Sequence, residues 1–168
     1  MTLVLGGTRS GKSKHAQVLA MASPPPWVYI ATAEAGDKEM RQRIAEHQRT
    51  RGGGWSTIEE PIDLAGALGN APTGQPVVID CVTLWLSNLV LGAHDVTSAI
   101  DKFTKAMGRR KAPTIVVSNE VGAGIVPDNA LGRDFRDRNG HLNQLLAVSA
   151  HEVVFMVAGL AMPLKTLP

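Results

Sequence analysis

Six short runs rich in apolar and β-branched residues punctuate the chain: Thr2-Leu3-Val4-Leu5, Trp27-Val28-Tyr29-Ile30-Ala31, Trp55-Ser56-Thr57-Ile58-Glu59, Pro76-Val77-Val78-Ile79-Asp80, Thr114-Ile115-Val116-Val117-Ser118 and Val153-Val154-Phe155-Met156-Val157. Each reads as a strand. Between them the spacing turns helical. Ala16, Val18, Leu19 and Ala22 mark a first helix, which Ser23-Pro24-Pro25-Pro26 stops because proline lacks an N–H and restricts the residue before it. Residues 37–49 predict a second helix, with Asp37 as N-cap and Met40, Ile44 and His47 along one face. Residues 62–68 give a short helix. Residues 84–91 are apolar nearly all round and predict a buried helix or a subunit contact, with Trp85 in the core. Residues 96–108 are amphipathic and end in the basic triplet Arg109-Arg110-Lys111. Asp128 can cap a last long helix whose Leu131, Phe135, Leu142, Leu145 and Leu146 approximate one face. Strands alternating with helices through short connections predict an α/β fold, a mostly parallel sheet covered by helices on both faces.

Composition sets the scale. At 168 residues and 44% hydrophobic, the chain can bury one substantial core and is short for two, so a single domain is expected. With 17 basic and 15 acidic residues the net charge is +2, which offers no basic stripe for nucleic acid and no membrane-surface patch. The only cysteine, Cys81, has no internal disulfide partner and follows a buried strand, so packing is its expected role in a reducing compartment. The N-terminus opens on a strand without a basic leader or cleavage site, and the apolar stretch 153–164 is too short for a bilayer of about 30 Å. A cytoplasmic protein without membrane insertion is the expectation.

The first strand leads straight into Gly6-Gly7-Thr8-Arg9-Ser10-Gly11-Lys12-Ser13, which fits G-x-x-x-x-G-K-[ST] between a strand and a helix. Gly6 and Gly11 allow the backbone to turn its N–H groups onto anionic oxygens, and the helix from Lys12 adds the positive end of its dipole. Lys12 is placed to reach β- and γ-phosphates, and the Ser13 hydroxyl to join the shell of a Mg²⁺ ion. Asp80 ends a continuous apolar run at the same sheet edge and is the candidate Walker B acid, a second metal contact. Thr32, Ala33 and Glu34 lie beyond the second strand at the edge where open α/β sheets bind ligands.

Other polar groups allow two readings each. His47 on an apolar helical stripe suits a core residue as well as a catalyst. Arg49 and Arg51 suit phosphate recognition or a helix end, and Glu59 suits a ribose or base contact or a solvated strand end. Gly52-Gly53-Gly54 ends the second helix and could let the segment close over a nucleotide. The Gly-rich loop Asn119-Glu120-Val121-Gly122-Ala123-Gly124-Ile125-Val126-Pro127 leaves the fifth strand at the phosphate edge, where polar residues are more often functional. These features predict a phosphotransfer enzyme. A regulatory GTPase would carry an Asn-Lys-x-Asp base-reading motif, which Asn119-Glu120-Val121-Gly122 is not, and a DNA filament protein would carry a basic stripe.

The ordered set Gly6 to Ser13, Tyr29-Ile30-Ala31-Thr32-Ala33, Arg43-Ile44-Ala45-Glu46-His47, Trp55 to Pro61, Asn119 to Pro127, Phe135-Arg136-Asp137, Gly140 and Asn143-Gln144 resembles the bifunctional adenosylcobinamide kinase/adenosylcobinamide-phosphate guanylyltransferases of cobalamin synthesis. The resemblance implies a RecA-like P-loop sheet and a homotrimer. It also implies two steps: phosphorylation of the aminopropanol hydroxyl of adenosylcobinamide with ATP or GTP, then GMP transfer from GTP to the corrinoid phosphate. The second step would pass through a guanylylated histidine, here His47. The nucleotide contacts it implies are Gly6, Gly7, Thr8, Arg9, Ser10, Gly11, Lys12 and Ser13, then Ala31, Thr32 and Ala33, then Gln48, Arg49, Thr50 and Arg51, with Glu59 and Asp80. A simple P-loop small-molecule kinase is the nearest rival, and it predicts no covalent GMP.

Overall fold

A computed structural model describes residues 1–34, 42, 49 and 51–166. The strands are β1 (Thr2–Gly6), β2 (Trp27–Ala31), β3 (Trp55–Glu59), β4 (Val77–Asp80), β5 (Thr114–Val117), β6 (Glu152–Val157) and β7 (Leu160–Lys165). The described helices are α1 (Lys12–Met21), α2 (Leu64–Asn70), α3 (Val82–Leu91), α4 (Val96–Arg109) and α5 (Ala130–Ser149). The strands form one sheet in the order β3-β2-β4-β5-β1-β6-β7. All neighbours pair in parallel except β6 and β7.

Period-2 alternation sorts the strand side chains to two faces. Leu3, Leu5, Val28, Ile30, Val77, Ile79 and Val116 join the larger core with α2, α3, α4 and α5. Val4, Tyr29, Val78, Ile115, Val117, Val154 and Met156 join a smaller core beneath Ala16 and Ala20 of α1. Helices therefore cover both faces, and the interior parallel strands are apolar apart from polar residues at their ends, Thr2, Asp80, Thr114 and Glu152. Trp85 is 1% exposed, packs its ring 5.3 Å from that of Phe103 and donates its indole N–H to Ile62 O. It is core, as its place in an all-apolar helix predicts.

Some sequence expectations shift. Asn129, not Asp128, caps α5: its Oδ1 accepts from Gly132 N at 2.7 Å. Leu131 and Leu145 are exposed, and the buried stripe of α5 is Asn139, Leu142, Asn143 and Leu146. Val18 of α1 is likewise exposed. The apolar stretch after β6 turns at Ala158 and Gly159, both at positive φ, and returns as β7. Two successive positive-φ residues are what a tight hairpin turn requires, and Pro163 is tolerated because β7 is an edge strand. The helix expected over 37–49, with Asp37, Met40, Ile44 and His47, lies outside the described residues apart from Gln42 and Arg49, which are helical and exposed.

Candidate active site

The phosphate-type loop occupies the C-terminal edge of β1. Gly6 has φ 147°, Arg9 φ 57° and Gly11, the N-cap of α1, φ 99°. A Cβ on Gly6 would stand 2.5 Å from Met156 O and 2.8 Å from Ser10 Oγ, so only glycine fits. Gly7, Thr8 and Arg9 are exposed, whereas Ser10 and Lys12 are buried. Lys12 Nζ donates to Gly7 O inside the loop. Gly159 N donates to Ser10 O at 3.0 Å, so the β6–β7 turn backs the loop from behind. Ser13 is half-buried in the first turn of α1.

Asp80 reaches the same edge from β4, one strand beyond β5. Its carboxylate accepts a hydrogen bond from Tyr29 Oη on β2. Arg51, 8% exposed, lays its guanidinium over the Tyr29 ring, 3.9 Å from the centroid, and Trp55 packs edge-on to the same ring. Burial, then the charge of Asp80, push the Tyr29 phenol far above its ordinary range, which keeps it a donor. Asp80 and Tyr29 come from separate strands that the sheet register brings together, and Arg51 joins them from the segment before β3. Tyr29 is the site residue that spacing did not single out.

Thr32 is fully buried, and its polar groups are engaged. Its Oγ1 donates to Cys81 O at 2.8 Å and accepts from Cys81 N at 2.9 Å, its N–H donates to Asp80 O, and its carbonyl accepts from Asn88 Nδ2. Thr32 thus staples the end of β2 to the turn after Asp80. Ala31 and Ala33 flank it half-buried, and Glu59, in register with Ala31, is exposed on the outer strand. Cys81 packs beneath Asp80 as expected, its thiol pushed up to about 11 by burial and by the neighbouring carboxylate. Arg49 is exposed; His47, Gln48 and Thr50 lie outside the described residues.

A second polar cluster fixes the end of β5. Asn119 N donates to Thr83 Oγ1 at 2.7 Å, and Asn119 O accepts from Asn139 Nδ2 at 2.9 Å and Asn143 Nδ2 at 3.1 Å. Ser118 Oγ closes the cluster, donating to Asn143 Oδ1 at 2.6 Å. One residue on, Glu120 N donates to Gly6 O at 3.2 Å, which joins the 120–127 loop to the phosphate loop. The arrangement holds a lysine, loop amides and a carboxylate at one edge, the equipment for polyphosphate binding and transfer.

Comparison with known proteins agrees with this chemistry. A family model described as cobinamide kinase / cobinamide phosphate guanyltransferase matches residues 2–164. The bifunctional adenosylcobalamin biosynthesis protein CobP of Pseudomonas aeruginosa is 45% identical over 99% of this chain and 98% of its own. CobU of Salmonella typhimurium, described in the same words, is 37% identical over 98% of this chain and 99% of its own. Among solved structures, a Pyrococcus horikoshii OT3 protein aligns with TM-score 0.58 at 9% identity, over 100% of this chain and 87% of that one. An ATPase of a bacterial type III secretion system aligns with TM-score 0.54 at 11% identity, over 96% of this chain and 56% of that one. At such identities the two structures speak to the fold alone.

Proposed function

The chain belongs to the cobinamide kinase / cobinamide phosphate guanyltransferase family, and from that membership we propose that it carries out both reactions in adenosylcobalamin synthesis. In the first, the aminopropanol hydroxyl of adenosylcobinamide attacks the γ-phosphorus of ATP or GTP; the O–P bond forms, the nucleoside diphosphate leaves and the hydroxyl proton is lost to base or solvent. In the second, a neutral ring nitrogen of His47 attacks the α-phosphorus of GTP and pyrophosphate leaves. An oxygen of the corrinoid phosphate then attacks that phosphorus, the P–N bond breaks, and adenosyl-GDP-cobinamide and free His47 result. Splitting the transfer through histidine avoids direct encounter of two polyanions.

The observation that carries this reading is the placement of the Gly6 to Ser13 loop and Asp80 at one sheet edge in a chain matched by that family over residues 2–164. Loop amides and Lys12 would hold the phosphates and stabilise charge on the leaving group. The remaining nucleotide contacts are Ala31, Thr32, Ala33, Gln48, Arg49, Thr50, Arg51 and Glu59. Because the Thr32 side chain is engaged with Cys81, its part is to shape the wall.

Mg²⁺ fits the donor set. Ser13 and Asp80 supply hard oxygen ligands, and among the described residues no cluster of three or more acidic, histidine or cysteine side chains forms an all-protein cage. That suits an ion held partly by substrate phosphates and water. When bound it would neutralise phosphate charge, while Tyr29 orients the Asp80 carboxylate. The 168 residues act as one kinase/guanylyltransferase domain, as a cytoplasmic homotrimer without nucleic-acid partners. Among the described residues no helix is long and apolar enough to cross a membrane.

Incubation with Mg²⁺ and GTP labelled at the α-phosphate, followed by denaturation and peptide mapping, tests the reading. An acid-labile, alkali-stable GMP adduct on His47 is expected. No adduct in protein that binds GTP and phosphorylates adenosylcobinamide would reduce it to a simple kinase.

A further inference from the structure

The segment between β5 and α5 is anchored at both ends and bare in the middle. At its root, Asn119 is clamped by Thr83, Asn139 and Asn143, and Glu120 N is bonded to Gly6 O of the phosphate loop. At its far end, Arg133 Nη1 donates to Pro127 O at 3.0 Å and Asp128 O at 2.9 Å. The first turn of α5 closes on Pro127 so tightly that a Cβ on Gly132 would meet Pro127 Cβ at 2.8 Å. Between these anchors Ile125 is 96% exposed and Val126 57% exposed, and Leu131 on the first turn of α5 is 57% exposed.

Single exposed apolar side chains are ordinary, but three within seven residues, on a loop bonded to a catalytic loop, mark a contact surface. The loop is positioned by buried polar groups rather than by these side chains, so their apolar character serves something outside the described structure. We propose that Ile125, Val126 and Leu131 form a platform for the apolar face of the corrinoid ring, holding the acceptor beside the phosphate loop in the kinase step. This rests on the function proposed above. In the kinase step the acceptor hydroxyl must meet the γ-phosphorus held by Lys12, so the bulk of a large acceptor has to lie just beyond the C-terminal edge beside Gly6. The 120–127 loop starts on that ground, where Glu120 N is bonded to Gly6 O. A corrin macrocycle is broad and methyl-bearing, and aliphatic side chains match it without directional bonds.

The test is the double variant Ile125→Ser/Val126→Ser, with Leu131→Ser made separately. Both alter exposed positions, so the fold is retained. The KM for adenosylcobinamide in the kinase step should rise about 10-fold or more, the equivalent of losing one buried aliphatic side chain. The KM for GTP, GMP labelling of the protein and its size on gel filtration should not change. Unchanged corrinoid KM values would overturn the proposal while leaving the reaction assignment intact. So would a rise accompanied by dissociation of the assembled protein, which would make the loop a subunit contact. Wild-type protein that neither takes up GMP nor turns over corrinoid would remove the underlying reading, and the platform with it.

Discussion

Tyr29 donates its hydroxyl hydrogen bond to the carboxylate of Asp80 across two neighbouring parallel strands, β2 and β4. Ala31, not Tyr29, is the register partner of Asp80, so the phenol reaches along the sheet face to the carboxylate two positions further on. This fixes the acid's orientation at the edge proposed to bind phosphates. Arg51 over the ring supplies a cation to the same cluster without bonding the carboxylate itself.

Tyr29→Phe should therefore separate orientation from charge. Loss of a hydrogen bond to a half-buried carboxylate should cost about 1–3 kcal/mol of stability, read from urea midpoints. A carboxylate free to rotate should lower kcat/KM for both steps about 10- to 100-fold. Unchanged turnover would show that Asp80 needs no such partner.

Gly6→Ala should damage folding and binding together. The added Cβ meets a backbone oxygen, Met156 O, and φ of 147° disfavours any side chain. A loss of about 1–3 kcal/mol is expected, with GTP affinity falling in equilibrium dialysis. A variant as stable and as tightly binding as wild type would mean that β1 and β6 can part at that point without consequence.

Lys12→Ala and His47→Asn should divide the two activities. Without the Lys12 ammonium, both steps should fall about 100- to 1,000-fold while the circular dichroism spectrum is retained. His47→Asn should abolish GMP labelling and guanylyl transfer yet spare kinase turnover. Loss of both activities in His47→Asn would argue against separate roles.

Alkaline pH should weaken the fold through Cys81. The thiol titrates near 9 when exposed and about 11 when folded, because burial and the Asp80 charge disfavour the thiolate. A raised folded pKa means the stabilisation is fully present below pH 9 and is lost as pH rises towards 11, amounting to about 2–3 kcal/mol. Melting temperatures from pH 8 to 11 should fall less steeply for Cys81→Ala than for wild type. Parallel curves would assign the alkaline loss to other groups, Tyr29 first among them.

The interior strands were legible because a parallel strand buried on both faces is a continuous apolar run, and the phosphate loop because its working atoms are contiguous in sequence. β7 was not: most of its side chains are exposed, it carries Pro163, and an edge strand needs no buried stripe. Asn139 and Asn143 broke the helical pattern for a different reason. They occupy core-facing positions of α5 while serving the backbone of Asn119, so an apolar rule placed Leu131 and Leu145 inside instead. Tyr29 and Asp80 could not be joined from sequence because their meeting depends on which strands are neighbours and in what register. Asp128 and Asn129 are chemically equivalent caps on paper, and the first turn of α5 decides between them.

The position of β1 has a consequence for synthesis. β1 pairs with β5 and β6, so Thr2 finds its neighbours at Ile115 and Glu152 only after those later segments have been made. The loop that follows it is then backed by Gly159. A nascent chain halted before the C-terminal hairpin would carry the whole phosphate motif and still lack the support that shapes it. Nucleotide binding would thereby report that synthesis has passed the β6–β7 hairpin.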